Sequence, residues 1–269
     1  MIRTVVLSSL VLAAAAAPAL AQAPEGAPAE ERSLNFVSAG AAALPDYSGS
    51  DDYRFIPFGA FRYEFESVTV RTEGPGLALD LFERGPVTAG AYGRWSGGRD
   101  EVEDTVVARL PDVGNSIIIG GFIDLELASD IVTGFDAVSI GARAGADALG
   151  EFDGVTWTAS ANYFTALSRT SFAVLSASVS GYSDDYADTL FSVDAAGAAA
   201  SGLPVYTAEG GVKDVGVTAL LTVGVGGPWS VGSVLGYSRL VGDFADSPLV
   251  AERGEENQAF IGLAVGRTF

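Results

Sequence analysis

The sequence predicts an all-β fold, a transmembrane antiparallel β-barrel of the outer membrane with about 12 strands; counts of about 10 or 14 also fit the spacing. Three observations predict it: an export signal at the N-terminus, period-two alternation of apolar and polar residues along the remaining chain, and a last strand that closes on Phe269.

The composition agrees with apolar surface facing something other than water. The chain has 269 residues, of which 48% are hydrophobic and 34 are Gly, and a mean hydropathy of +0.31. It has no Cys and no His, which excludes a disulfide framework, a thiolate nucleophile, a Cys-ligated metal and any His-based relay. With 34 acidic against 15 basic residues and a formal charge of -19, no nucleic-acid partner is expected, because phosphate binding needs clustered basic side chains.

Residues 1–21 read as a signal peptide. Arg3 supplies the positive region, Val5 to Ala17 the apolar region, and Ala19-Leu20-Ala21 the small-residue cleavage pattern, with cleavage between Ala21 and Gln22. The apolar stretch falls short of the roughly 20 residues that span a bilayer as a helix. Residues 22–32, rich in Ala, Pro and Glu, form a short flexible lead-in. The barrel is then assigned to residues 33–269.

Strands are expected to begin near Leu34, Phe55, Val68, Leu77, Val87, Ser116, Phe135, Val155, Ser171, Val212, Trp229 and Ala259, with turns rich in Gly, Asp, Pro and Ser between them and mostly short loops. The alternation is clearest in Ile117, Ile119, Ile123, Leu125 and Leu127 against Asp124 and Glu126, and in Val215, Val217, Ala219, Leu221 and Val223 against Asp214, Gly216, Thr218 and Thr222. A soluble sandwich alternates in the same way, but its strands are usually shorter than those that cross a bilayer tilted. Trp95, Trp157, Tyr163, Trp229 and Tyr237 fall near strand ends, where interfacial girdles form. Arg62, Glu64, Arg94, Asp124, Glu126 and Arg143 fall on the polar face, where they would line a narrow lumen. The last strand, AFIGLAVGRTF, resembles the signal read by the barrel assembly machinery, with Arg267 departing from the usual apolar residue at that place.

No catalytic, cofactor or metal residues are assigned. The acid pairs Asp51-Asp52, Asp184-Asp185 and Glu255-Glu256 are adjacent in expected loops, whereas two-carboxylate hydrolysis needs a pair facing across a cleft. No D-x-D-x-D-G calcium loop is present. Acidic outer loops would instead share divalent cations with lipopolysaccharide. Lys213 stands beside Asp214, and Arg239 is expected to pair with Asp243 and Asp246; such pairs order a loop without touching a ligand.

Four segments exceed what alternation requires: PDYSGSDDY with Pro45, Tyr47, Gly49, Ser50 and Tyr53; SGLPVY with Gly202, Pro204 and Tyr206; KDVG with Lys213, Asp214 and Gly216; and SRLVGDFADSPLV with Ser238, Arg239, Gly242, Asp243, Ser247 and Pro248. In this order they resemble the MipA/OmpV family, the MltA-interacting outer-membrane proteins, over essentially the whole mature chain. The resemblance implies a barrel in the outer membrane of a Gram-negative bacterium. It also implies a non-enzymatic scaffold for a lytic murein transglycosylase and a murein synthase, reached through periplasmic turns, with these motif residues as candidate contacts. Outer-membrane lipid, lipopolysaccharide and the assembly machinery complete the expected partners. The alternatives are a narrow channel for small solutes and a soluble secreted β protein.

Overall fold

The computed structural model describes residues 35–100 and 102–269; the expected signal peptide and lead-in lie outside them. Twelve antiparallel strands close into one barrel. They are β1 (Phe36–Pro45), β2 (Tyr53–Phe65), β3 (Val68–Glu73), β4 (Gly76–Arg84), β5 (Val87–Ser96), β6 (Ser116–Ser129), β7 (Asp136–Asp147), β8 (Val155–Ser168), β9 (Ser171–Tyr182), β10 (Gly211–Gly226), β11 (Trp229–Leu240) and β12 (Asn257–Thr268). Each strand pairs with its sequence neighbour, and β1 closes on β12 with Phe36 opposite Thr268 and Ala43 opposite Ile261. Closure leaves no unpaired edge, which a sheet in hydrocarbon requires.

The register sorts the side chains. In β6 and β7, Asp124 stands opposite Gly141 and Phe122 opposite Arg143, all on the lumenal face. Ile119, Ile123 and Ile140 point outward and are exposed. The same outward face carries Leu77, Leu79, Val217, Leu221, Leu235, Ile261 and Leu263, an apolar band all round the wall. Trp95, Trp157 and Tyr237 bound it at one end, and Tyr163 and Trp229 at the other. Arg267 stacks over the Trp229 ring at 5.7 Å, a cation–π contact between β12 and β11 on the outer face.

The two barrel ends differ. At the end where β1 begins and β12 finishes, Glu66-Ser67, Gly85-Pro86, Arg169-Thr170 and Gly227-Pro228 make two-residue turns, and one longer turn spans residues 130–135. The opposite end carries long connections at residues 97–115, 183–210 and 241–256. These contain a 3-10 turn (Val107–Arg109), α1 (Asp184–Phe191), α2 (Ala195–Ser201), α3 (Asp243–Asp246) and α4 (Pro248–Ala251). Outer-membrane barrels keep short turns in the periplasm and long loops outside, so the short-turn end is periplasmic and the helical end is external. The expectation of mostly short loops fits the periplasmic end and fails for these three connections.

Among the described residues, no helix is long and apolar enough to cross a membrane; the strands do so.

Candidate functional site

Three of the four sequence motifs meet in one place, a folded cap over the external mouth, and KDVG lies on the adjoining end of β10. Tyr47, Val107, Leu110, Val193, Leu203 and Leu249 form its outer apolar cluster, drawing on four separate connections. A second cluster beneath joins Tyr186, Phe191, Phe244 and Val250 of the cap to Tyr92, Ile118 and Leu240 of the barrel wall. Burying these side chains is what holds long loops in one arrangement.

Polar contacts fix the register of the loops. The Tyr47 hydroxyl donates to the Leu249 carbonyl at 3.4 Å. Asp46 accepts the Glu103 amide at 3.0 Å and pairs with Arg54 at 3.5 Å. Gln258 accepts from the Gly49 amide and donates to the Ser50 carbonyl, both at 3.1 Å. The Ser247 hydroxyl donates to the Phe191 carbonyl at 2.6 Å, and the Tyr206 hydroxyl to the Asp243 carbonyl at 2.9 Å. Gly202 ends α2 at φ 86°, and Pro204 follows on the exposed surface. Gly49 has φ +99°, and an added Cβ would stand 2.4 Å from Val250 Cγ2; only glycine fits both demands.

Burial pushes the Tyr47 phenol above its ordinary range, with Asp104 and Asp51 adding to the effect. Burial alone would raise the Asp104 carboxyl. The Arg253 hydrogen bond and the Val107 and Val106 amides outweigh it and hold that carboxyl below its ordinary value.

Below the cap two sets of side chains project into the lumen. On β1, β2 and β9 to β12 lies an apolar cluster of Ala42, Ile56, Phe58, Val174, Leu220, Val234 and Ala264, packed against Phe164, Phe172 and Phe260. Facing it is an ionic network. Arg71 reaches Glu73 at 2.5 Å, Asp80 at 3.1 Å and Asp124 at 4.0 Å, and its guanidinium lies 5.2 Å from the Phe122 ring centre. Arg62 lies 3.8 Å from Asp80, and Arg143 pairs with Glu73. Three arginines and three acids balance in charge, the condition under which buried ions are tolerated.

Of the expected lumenal charges, Arg62, Asp124 and Arg143 therefore join one network. Arg94 stands nearer the cap and bonds Thr156 at 3.2 Å. Glu64 and Glu126 keep the lumenal register but are exposed at the periplasmic mouth. The sequence reading passed over Arg71, Glu73 and Asp80, although Thr69-Arg71-Glu73 alternates with Val68 and Val70, and Asp80 with Leu77, Leu79 and Leu81. Lys213 pairs with Asp214 at 2.5 Å, as expected, and stacks over Tyr182. Gly216 stands opposite Ser238 on the lumenal face.

Arg239 does not pair with Asp243 or Asp246. It points out of the barrel and bonds Glu256 at 2.6 Å, while Asp243, beyond the turn at Gly242, accepts the Glu209 amide at 2.9 Å. Strand parity decides this, because Leu240 takes the inward place beside it. Asp184 and Asp185, read as loop acids, occupy the first turn of α1, where the helix dipole favours negative charge. The motif residues also lie at the external end, opposite the periplasmic turns through which a murein enzyme was expected to be reached. Among the described residues no cluster of side chains could hold a metal ion.

These features define a class: a closed, capped barrel of the Gram-negative outer membrane, with a lipid-facing apolar wall and a lumen lined by an apolar cluster and an ionic network. A family model described as MltA-interacting protein MipA matches residues 37–269, and the chain belongs to that family. No curated protein sequence matches the chain. Among solved structures it is similar to an outer-membrane channel of Pseudomonas putida F1, with 15% identity, 91% of this chain and 100% of that chain covered, and a TM-score of 0.41. It is similar also to the outer-membrane channel DcaP of Acinetobacter baumannii, with 10% identity, 88% and 96% coverage, and a TM-score of 0.32. The toluene transporter TbuX of Ralstonia pickettii aligns at 12% identity, with 88% and 90% coverage and a TM-score of 0.35.

Proposed function

We propose that this protein is a non-conducting adaptor that holds murein-remodelling enzymes, a lytic transglycosylase and a murein synthase, at the outer membrane. The observation that carries the reading is the folded cap, whose buried Tyr186, Phe191 and Phe244 pack against the barrel wall at the external mouth, with Phe58 and the Arg71 network projecting into the lumen below. The family's name supplies the enzyme partner. A partner in the periplasm meets the turns and the open mouth, where Glu64, Glu66 and Glu83 border a hollow of about 350 Å³. Negative carboxylates there suit a basic surface on the enzyme. The cap residues, Tyr47 and Ser247 among them, keep the barrel shut and face away from murein. On that outer side the acidic loops meet lipopolysaccharide through shared divalent cations. Phe269, which is exposed and lies 6.5 Å from the Tyr63 ring, serves as the end signal for the assembly machinery.

Crosslinking of intact envelopes followed by affinity recovery tests this. A lytic transglycosylase or murein synthase should accompany the wild-type chain and be lost from the Glu64→Gln, Glu66→Gln, Glu83→Gln triple variant. Recovery of lipopolysaccharide and assembly machinery alone would sink the adaptor reading.

A further inference from the structure

One periplasmic turn is unlike the rest. The four two-residue turns at that end carry Glu66-Ser67, Gly85-Pro86, Arg169-Thr170 and Gly227-Pro228, with no large apolar side chain among them. Residues 130–135 between β6 and β7 instead expose Ile131 at 52%, Val132 at 77% and Phe135 at 56%.

The turn is also built to be rigid. Asp136, itself buried, accepts the amides of Ile131 at 2.8 Å, Val132 at 2.9 Å and Thr133 at 3.4 Å. The Tyr163 hydroxyl donates to the same carboxylate at 2.8 Å. The Asp130 amide donates to the Asp136 carbonyl at 2.8 Å, and the Phe135 amide to Thr133 Oγ1 at 3.2 Å. Backbone amides in a water-poor layer must be satisfied from within the protein, and here five of them are. In water the same amides would be hydrated without this arrangement.

We propose that residues 130–135 are an interfacial anchor, seated in the headgroup and upper acyl region of the periplasmic leaflet. The occupant is lipid because the turn continues a surface that already meets lipid. Outward along β6 lie Ile123 and Leu127, along β7 Ile140, and along β8 Leu167, all exposed, and the apolar turn extends this side of the band beyond Tyr163. Apolar side chains on a short amphipathic element bury about 5–10 Å into that boundary. The anchor is one-sided, so it fixes the rotational setting of the barrel and the depth of its periplasmic mouth.

The absence of Cys permits single-site labelling of the full mature chain. Val132→Cys and, separately, Phe135→Cys would carry a bimane fluorophore in phosphatidylcholine and phosphatidylglycerol vesicles, with Arg169→Cys as the control at the same end. Folding of each variant is checked by its heat-modifiable gel mobility. Labels at 132 and 135 should lose about half or more of their fluorescence to lipid brominated near the headgroup, and be shielded from aqueous iodide. The label at 169 should show the reverse. Iodide quenching at 132 and 135 equal to that at 169 would overturn the anchor. Shielding from both quenchers would also overturn it, by placing a protein surface, such as a second copy, over the turn.

Discussion

The hydroxyl of Tyr186, on α1, lies 2.7 Å from Ser96 Oγ at the end of β5, so a helix from the longest external connection is latched to the inner wall of the barrel. Tyr186 is 0% exposed and packs, with its ring tilted, against Phe152 at 4.9 Å and Tyr182 at 4.2 Å. Its burial and this latch explain how the cap closes the mouth rather than waving above it. Tyr186→Phe should cost about 1 kcal/mol, the net value of one hydrogen bond, whereas Tyr186→Ala should cost about 3–5 kcal/mol through the cavity it leaves. Thermal unfolding in detergent micelles, read by heat-modifiable mobility, separates the two.

Gly49 makes a second, sharper test of the cap. Gly49→Ala forces a side chain into a left-handed backbone and against Val250, and should destabilise the cap by about 1–3 kcal/mol. Gly74→Ala, at φ +56° with nothing within 4 Å, carries only the backbone strain and should cost less. Limited proteolysis of the external loops should quicken in the first variant much more than in the second.

The lumenal network predicts both stability and conductance. Arg71→Met leaves Asp80 and Glu73 short of a partner and should cost about 3–5 kcal/mol, the penalty for stranding a buried charge. The wild-type chain should be silent in a planar bilayer. Regular conductance steps from the wild type, shifted by charge reversal at Asp124, would show an open path past the cap and favour a channel.

Acid should loosen the cap before it loosens the wall. Because the folded Asp104 carboxyl is held below its ordinary value, its contribution is complete above the unfolded value of about 3.9. It is lost as pH falls through the lower folded value. Pepsin should therefore cut the external loops faster as pH drops below about 4. Arg253→Met, which removes the 2.5 Å pair to Asp104, should make the variant's external loops as easily cut at neutral pH, by a protease active there such as trypsin or proteinase K, as the wild-type loops are in acid. Equal resistance of the variant at both pH values would count against this pair.

How much was legible in the sequence follows from what sets each feature. Strand starts depend on local alternation and turn residues, and each expected start lies within two residues of the observed one. The lipid face was legible for the same reason, as Ile119 and Ile123 show. The cap was not legible as a cap. Pro45 to Tyr53 and Ser238 to Val250 stood out as motifs, but what joins Tyr47 to Leu249 is a contact across 202 positions, which no local pattern carries. The short α1 was hidden by the same cause, since Tyr186 owes its place to packing more than to helix propensity. Arg71 and Glu73 were missed because β3 is only six residues long, too short for alternation to stand out, and Asp80 because it is a lone charge among Leu77, Leu79 and Leu81 on β4.

The most direct measurement is binding of a purified lytic transglycosylase to the full mature chain held in nanodiscs. Saturable binding is predicted, weakened at least about tenfold by the Glu64→Gln, Glu66→Gln, Glu83→Gln triple variant, a change of about 1.4 kcal/mol, and unchanged by Tyr186→Phe in the cap. Absence of binding, or binding abolished by the cap substitution and untouched by the triple variant, would contradict an adaptor that works from its periplasmic mouth.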